Sequence, residues 1–294
     1  MIKIAVASGK GGTGKTTVAT NIALAATAQK LSVAYIDCDV EEPNGALFLK
    51  PDIDLERDVE VSVPEVDHKK CTGCGKCGEI CQFNAIAALG KKVMIFPELC
   101  HGCAGCWLVC PSSALVETRR VTGKLQTGHA GDIKFAQGLL NIGEAMSPPV
   151  IRVVKDSTPT AELVIIDSPP GTSCPVIESV KDADYVLLVT EPTPFGLNDL
   201  KLAVEMVKAL ELPFGVVINR ANTGDDETQK FCRDFGIEIM AQIPDSRKVA
   251  EAYSRGELAF NVIPEFRDMF VELLDKISAT AGHDSDKTKR SAAK

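Results

Sequence analysis

Short apolar runs alternate with stretches of helical periodicity along most of the chain. Residues 2–7 are apolar and partly β-branched, residues 8–14 crowd four glycines into a turn, and a helical pattern follows over 16–29. The same reading predicts strands at 32–37, 150–153, 163–166, 185–190, 214–219 and 237–243, and helices at 133–146, 197–210 and 225–235. Near the end Phe266, Met269, Phe270, Leu273, Leu274 and Ile277 recur at helical spacing, which reads as core packing, with membrane anchoring as the alternative. Apolar strands joined by helices bury both faces of a sheet, so the expected class is α/β with a mainly parallel sheet flanked by helices. From 282 the chain turns polar, and a disordered tail is expected over 282–294.

Composition narrows the function classes. The 32 basic and 40 acidic residues among 294 leave a formal charge of -8, the wrong sign for gripping nucleic acid through its phosphates. No nucleic-acid partner is expected. The first residues lack the charged and apolar regions of a secretion signal, and no stretch reaches the ~18 apolar residues of a membrane span. A cytoplasmic chain without a stable membrane anchor is therefore expected. Eleven cysteines in a reducing compartment point to metal rather than disulfides.

The glycine turn carries the first chemistry. Gly9-Lys10-Gly11-Gly12-Thr13-Gly14-Lys15-Thr16-Thr17 has the Walker A spacing between a strand and a helix. Its glycines let backbone N–H groups turn inward around phosphate oxygens, and the helix N-terminus adds the positive end of its dipole. Lys15 is expected on the β- and γ-phosphates, the Thr16 hydroxyl on Mg²⁺, and Thr17 on the α-phosphate. The strand at 32–37 ends in Asp37-Cys38-Asp39, carboxylates placed to hold metal-bound water or orient an attacking water, or else a solvated turn. The apolar run 163–166 ends at Asp167, a Walker B arrangement that brings another carboxylate to Mg²⁺.

Eight cysteines fall in two runs, Cys71-x₂-Cys74-x₂-Cys77-x₃-Cys81 and Cys100-x₂-Cys103-x₂-Cys106-x₃-Cys110-Pro111, repeated at an interval of 29 residues. This is the spacing of bacterial two-cluster 4Fe-4S ferredoxins, in which the fourth cysteine of each run ligates the other cluster. One cluster is therefore assigned to Cys71, Cys74, Cys77 and Cys110, and the second to Cys81, Cys100, Cys103 and Cys106. Zinc competes for CxxC pairs, but zinc sites do not repeat a four-cysteine run in this way. Gln82 stands where a proline usually follows the first run. Cys38, Cys174 and Cys232 are expected to stay unligated. The Walker A turn precedes these runs and Asp167 follows them. The expected organisation is thus an inserted bacterial 2x(4Fe-4S) ferredoxin-like domain over 64–119 within a discontinuous ATPase domain of 1–63 and 120–281.

With Lys10 near its start, the GKGGTGKTT loop resembles the deviant Walker A ATPases: MinD and ParA positioning ATPases, Mrp-type iron–sulfur carriers and the nitrogenase iron protein. The whole chain resembles a ferredoxin-containing branch of the MinD/Mrp superfamily of P-loop ATPases. The resemblance implies a P-loop NTPase fold binding ATP and Mg, with Lys10 reaching a partner's phosphates across an ATP-dependent dimer, a homodimer or a heterodimer with a sister ATPase. It implies Asp37 near Mg²⁺ and Asp39 polarising the hydrolytic water. It implies a nucleotide switch in the run Ser168-Pro169-Pro170-Gly171-Thr172 after Asp167, where Gly171 senses the γ-phosphate. It also implies base recognition by Asn219-Arg220 and Pro244-Asp245, although a strand-terminal turn and a proline-capped helix start explain those residues as well.

Three functions follow from the resemblance. The first is nucleotide-gated electron transfer from two 4Fe-4S clusters to a redox partner protein. The second is iron–sulfur cluster carriage or assembly, against which stands the lack of any CxxC after Cys110. The third is a positioning ATPase whose clusters sense redox state.

Overall fold

A strand that ends on one edge of a sheet and must restart parallel beside another strand needs a crossover, and here helices supply most of them. The computed structural model describes residues 1–291, with side chains described through 280. In chain order, β1 (Ile2–Ser8), α1 (Lys15–Ala28), β2 (Val33–Asp37) and α2 (Gly45–Leu49) are followed by β3 (Asp52–Val66). Next come α3 (Lys76–Ile80), β4 (Ile86–Leu89), β5 (Lys92–Ile95), α4 (Gly105–Leu108), β6 (Leu115–Ala130) and β7 (Ile133–Leu140). Then α5 (Pro148–Asp156), β8 (Leu163–Pro170), α6 (Cys174–Val180), β9 (Tyr185–Thr190), α7 (Pro194–Ala209) and β10 (Phe214–Asn219) alternate. Finally α8 (Glu227–Asp234), β11 (Ile239–Ile243), α9 (Arg247–Ser254), α10 (Ala259–Val262) and α11 (Pro264–Ser291) close the described chain.

The large sheet has the order β11-β10-β9-β1-β8-β2-β7-β6-β3. Every neighbour pair from β11 to β7 is parallel. β6 and β7 are sheet neighbours joined by the two residues Gly131 and Asp132, a connection that only an antiparallel pair accommodates. The chain divides into two compact units, one of Met1–Glu56, Leu125–Leu139 and the part from Ile151 onward, the other of Arg57–Lys124 and Leu140–Val150. The second unit is wider than the 64–119 expected from the cysteine runs.

In the first unit the central strands are buried on both faces, as β8 and β9 are along nearly their whole length. α1 is buried on most sides through its own alanines, Val18 and Ile22, and its Asn21 accepts from the Phe260 N–H at 2.7 Å and donates to the Thr17 carbonyl at 2.6 Å. Phe266, Phe270, Leu273, Leu274 and Ile277 of α11 lie in the same core, so that helical face is packing. Among the described residues no helix is long and apolar enough to cross a membrane.

The second unit has small apolar clusters in which cysteines take part: Val63 and Ala85 with Cys100, and Ile86 and Val93 with Cys106. A unit this size with so little core needs additional staples. One is the ion pair of Arg120 with Glu144, whose carboxylate is almost fully buried and also accepts the Met146 N–H at 3.2 Å. Together with the Asn141 N–H on the Thr122 carbonyl at 3.0 Å, it fastens the 140–150 segment to β6.

Two expectations need correction. The helix expected at 133–146 is instead strand β7, whose Phe135 pairs in register with Tyr35 and stacks on it at 5.9 Å. Its apolar residues fit a helical face equally well, and the free position beside β2 decided the outcome. The strand expected at 150–153 lies in α5, which prolines start at its first turn and whose Val150, Ile151 and Val154 are buried. The backbone of α11 is described as far as Ser291, within the expected tail of 282–294. The rest of that tail, 292–294, lies outside the described residues.

Candidate functional site

β1 delivers the chain at its carboxyl end to a loop that only glycines can trace. Gly12 and Gly14 have φ of +78° and +95°, and a Cβ on Gly14 would collide with the Asn219 side-chain amide. α1 starts directly after Gly14 with no side-chain cap, so its first N–H groups remain available to an anion. A cleft of about 500 Å³ opens here. It brings together Gly11, Gly12, Gly14, Lys15, Thr16, Thr17 and Asp39 with Asn219, Arg220, Pro244 and Asp245. Thr13 sits just behind the lining, buried, with its hydroxyl unpartnered. Two aspartates, Asp37 and Asp167, and Lys10 are placed around the cleft without lining it.

The two aspartates stand opposite each other in register on β2 and β8, both fully buried. Asp37 accepts the N–H groups of Gly45 at 2.9 Å and Asp39 at 3.1 Å. Asp167 Oδ2 accepts the Tyr35 hydroxyl at 2.8 Å, and Thr16 donates to the same carboxyl. Burial first, and for Asp37 the neighbouring Asp167 charge second, pushes the carboxyl affinity for protons upward in both. Asp167 Oδ1 is buried with no partner. An orphaned carboxylate oxygen in an acidic pair beside a threonine hydroxyl fits a hard divalent cation such as Mg²⁺.

A stability consequence follows. Both carboxyls are raised above the range they have in the unfolded chain, near ~4, so the pair's contribution to stability falls as the pH rises above that value. Asp167→Asn removes the repulsion, and it is expected to raise the melting temperature of the metal-free chain at pH 7, while the stabilisation that Mg²⁺ gives the unsubstituted chain disappears. Calorimetry with and without Mg²⁺ measures both.

Asp39 is partly buried and its carboxyl is raised to about 6, mainly by burial, with Lys15 pulling the other way. Lys10 lies 3.6 Å from Glu191, and Arg220 reaches the same carboxylate at 2.8 Å and Asp245 at 3.7 Å. Asn219 donates from Nδ2 to the Thr13 carbonyl at 2.8 Å, which ties β10 to the phosphate loop. Gly171, at φ +101°, donates its N–H to the Ser8 carbonyl at 2.9 Å. Sequence reasoning missed Tyr35, Glu191 and Tyr253. Tyr253 lines the cleft, pairs through its hydroxyl with Thr17 and lies 4.2 Å from the Phe48 ring. No motif marks them, because each acquires its role from a strand or helix far away in sequence.

In the second unit the cysteine runs form two loops of the same backbone shape. Gly73 and Gly102, Gly75 and Ala104, and Asn84 and Ser113 are pairs 29 residues apart, and every one has positive φ. α3 and α4 begin at the equivalent positions Lys76 and Gly105. One cavity is lined by Cys71, Cys74, Cys77 and Cys110, the other by Cys81, Cys100, Cys103 and Cys106. Each set takes three cysteines from one run and the last cysteine of the other. Amide N–H groups of Gly102 and Ala114 point at Cys100 and Cys110 sulfur, at 3.5 and 3.3 Å. Among the described residues no three His, Cys, Asp or Glu side chains close on a point as a single ion requires. Of the remaining cysteines, Cys38 and Cys232 are buried and Cys174 is exposed, and all are free thiols.

Residues 4–259 match the family described as the CobQ/CobB/MinD/ParA nucleotide binding domain. The chain belongs to that family. The CobQ/CobB/MinD/ParA domain is accordingly an α/β P-loop NTPase fold here, with a mostly parallel sheet flanked by helices. An uncharacterized protein of Methanocaldococcus jannaschii is 31% identical over 260 residues, covering 87% of this chain and 91% of that one. A protein of Pyrococcus horikoshii named iron-sulfur cluster carrier protein is 25% identical over 277 residues, 86% of this chain and 77% of that one. Among solved structures, the septum site-determining protein MinD of Pyrococcus horikoshii, complexed with Mg-ADP, superposes with a TM-score of 0.59 at 20% identity, covering 96% of this chain and 97% of that one. That likeness concerns the fold.

Proposed function

We propose that this chain is a Mg-dependent ATPase that holds two 4Fe-4S clusters in a ferredoxin-like insert and couples nucleotide-dependent dimerisation to electron transfer with a partner protein. The observation that carries the reading is the crossed grouping of the eight cysteines around two cavities, in a chain that also owns a complete phosphate loop and acidic pair. In the nucleotide site, Lys15 and the N–H groups at the start of α1 hold the phosphates. Thr16 and Asp167 hold Mg²⁺, with Asp37 behind them. Asp39 orients the attacking water, and Lys10 exchanges its Glu191 partner for phosphate oxygens of a second subunit. In the insert, the two sets of four cysteines hold the clusters, which supply one-electron chemistry when bound. Asn219, Arg220, Pro244 and Asp245 flank the base, with Tyr253 above the loop.

Cluster carriage is the second reading, favoured by the relatives that bear that name. The two readings diverge in anaerobic experiments on the reconstituted chain. Electron gating predicts that MgATP changes the midpoint potential of a cluster, or its rate of oxidation by an acceptor, with iron content constant. If both are unmoved by nucleotide and iron and sulfide pass instead to an apo-protein, carriage is the function.

A further inference from the structure

The two cysteine loops share a backbone but not a surface. Around the first loop stand Lys69, Lys70, Lys76, Lys91 and Lys92, all exposed. Positions 98, 99 and 105, which the 29-residue repeat makes equivalent to 69, 70 and 76, are Glu98, Leu99 and Gly105, and the stretch 98–110 has no lysine or arginine. The last two lysines reach this face through the tertiary structure. A Cβ on Gly73 would come within 2.8 Å of the Gly90 and Lys91 backbone, so the turn of the β4–β5 hairpin sits against the Cys71–Cys77 loop. Only Lys70 has a carboxylate partner, Asp67 at 3.6 Å, and none of Lys69, Lys76, Lys91 and Lys92 has one among the described residues. Cys74 of this loop and Leu89 of the hairpin are also exposed, the latter 69%.

A basic rim around an apolar and redox-active centre, on a chain whose formal charge is -8, is not a by-product of overall composition. A patch of this kind steers oppositely charged proteins and fixes their orientation while contributing few buried contacts. We propose that this face docks a small acidic electron-carrier protein, bearing flavin or iron–sulfur, against the Cys71/Cys74/Cys77/Cys110 site. The inference rests on the electron-transfer reading above and adds the direction of entry. The carrier is oxidised by one electron as the docked site is reduced by one, and no bond at the cysteines is made or broken. The second loop, which lacks these lysines, then receives the electron from the docked site.

The test uses the full chain, reconstituted anaerobically, and an acidic flavodoxin carrying a fluorescent label. Binding is read by anisotropy at ~20 mM and ~300 mM salt, where screening differs strongly. For the triple variant Lys69→Glu/Lys76→Glu/Lys91→Glu we expect affinity at low salt to fall about tenfold or more and its salt dependence to vanish, while Lys230→Glu on α8 changes neither. Reduction by photogenerated neutral 5-deazariboflavin radical is expected to be equal in all three proteins. Binding of the triple variant like the parent overturns the docking face. So does unchanged flavodoxin binding together with loss of binding to phosphatidylserine vesicles, which would make the face a membrane contact. If flavodoxin binding responds to the lysines but the deazariboflavin radical reduces no iron–sulfur signal even in the parent, the docking face stands and the electron-transfer reading falls.

Discussion

Cys110→Ala is expected to remove about four of about eight iron atoms per chain, and adding Cys71→Ala to it is expected to remove no more. Adding Cys100→Ala instead empties the chain of iron. The reason is the crossed arrangement: Cys110 lines the cavity of Cys71, Cys74 and Cys77, although it belongs to the later run. Were each run to fill its own site, the two double variants would behave the other way round. Iron and sulfide analysis with EPR of the reduced proteins decides between these outcomes. Because Cys81, Cys100 and Cys106 also pack in the small apolar clusters of their unit, loss of both clusters is further expected to leave that unit sensitive to protease while the α/β unit survives.

Asp39→Ala is expected to reduce ATP hydrolysis roughly 100-fold or more, with nucleotide affinity little changed. Asp39 lines the cleft, and on the proposed function it orients water while backbone N–H groups, Lys15 and the α1 N-terminus hold the phosphates, so its loss is expected to spare the grip on nucleotide. In the parent, burial raises this carboxyl to about 6, and its water-orienting form is the anion. Hydrolysis should therefore rise with pH through about 6, and this limb should be absent from the residual activity of the variant. Single-turnover rates across pH 5 to 8 with a parallel binding titration separate the two effects. A variant that loses affinity and rate together would make Asp39 a binding residue.

How legible each feature was in the sequence depended on how local its cause is. The phosphate loop declared itself because a tight turn around phosphate demands glycine at positions with positive φ, as at Gly12 and Gly14, and a lysine and hydroxyl at fixed distances along the chain. The strands at Tyr185–Thr190 and Phe214–Asn219 were legible to the residue, since a central parallel strand is an unbroken apolar run. The misread elements were β7 and α5, where a mixture of apolar and polar residues satisfied both periodicities and the neighbours chose.

Local structure was therefore written in the chain itself: a glycine turn ahead of Lys15, aspartates at strand ends, cysteines in two matching runs, and a repeat whose backbone recurs every 29 residues. Only the tertiary structure decided what these meet. Parallel pairing of β2 with β8 put Asp37 opposite Asp167, the fold brought Glu191 between Lys10 and Arg220, and the β4–β5 turn carried Lys91 and Lys92 to the rim of one cysteine loop but not the other. The physical reason is common to all three. Hydrogen bonding and turn geometry act over a few residues and leave a pattern in sequence, whereas burial and charge depend on which distant segments the sheet register sets side by side.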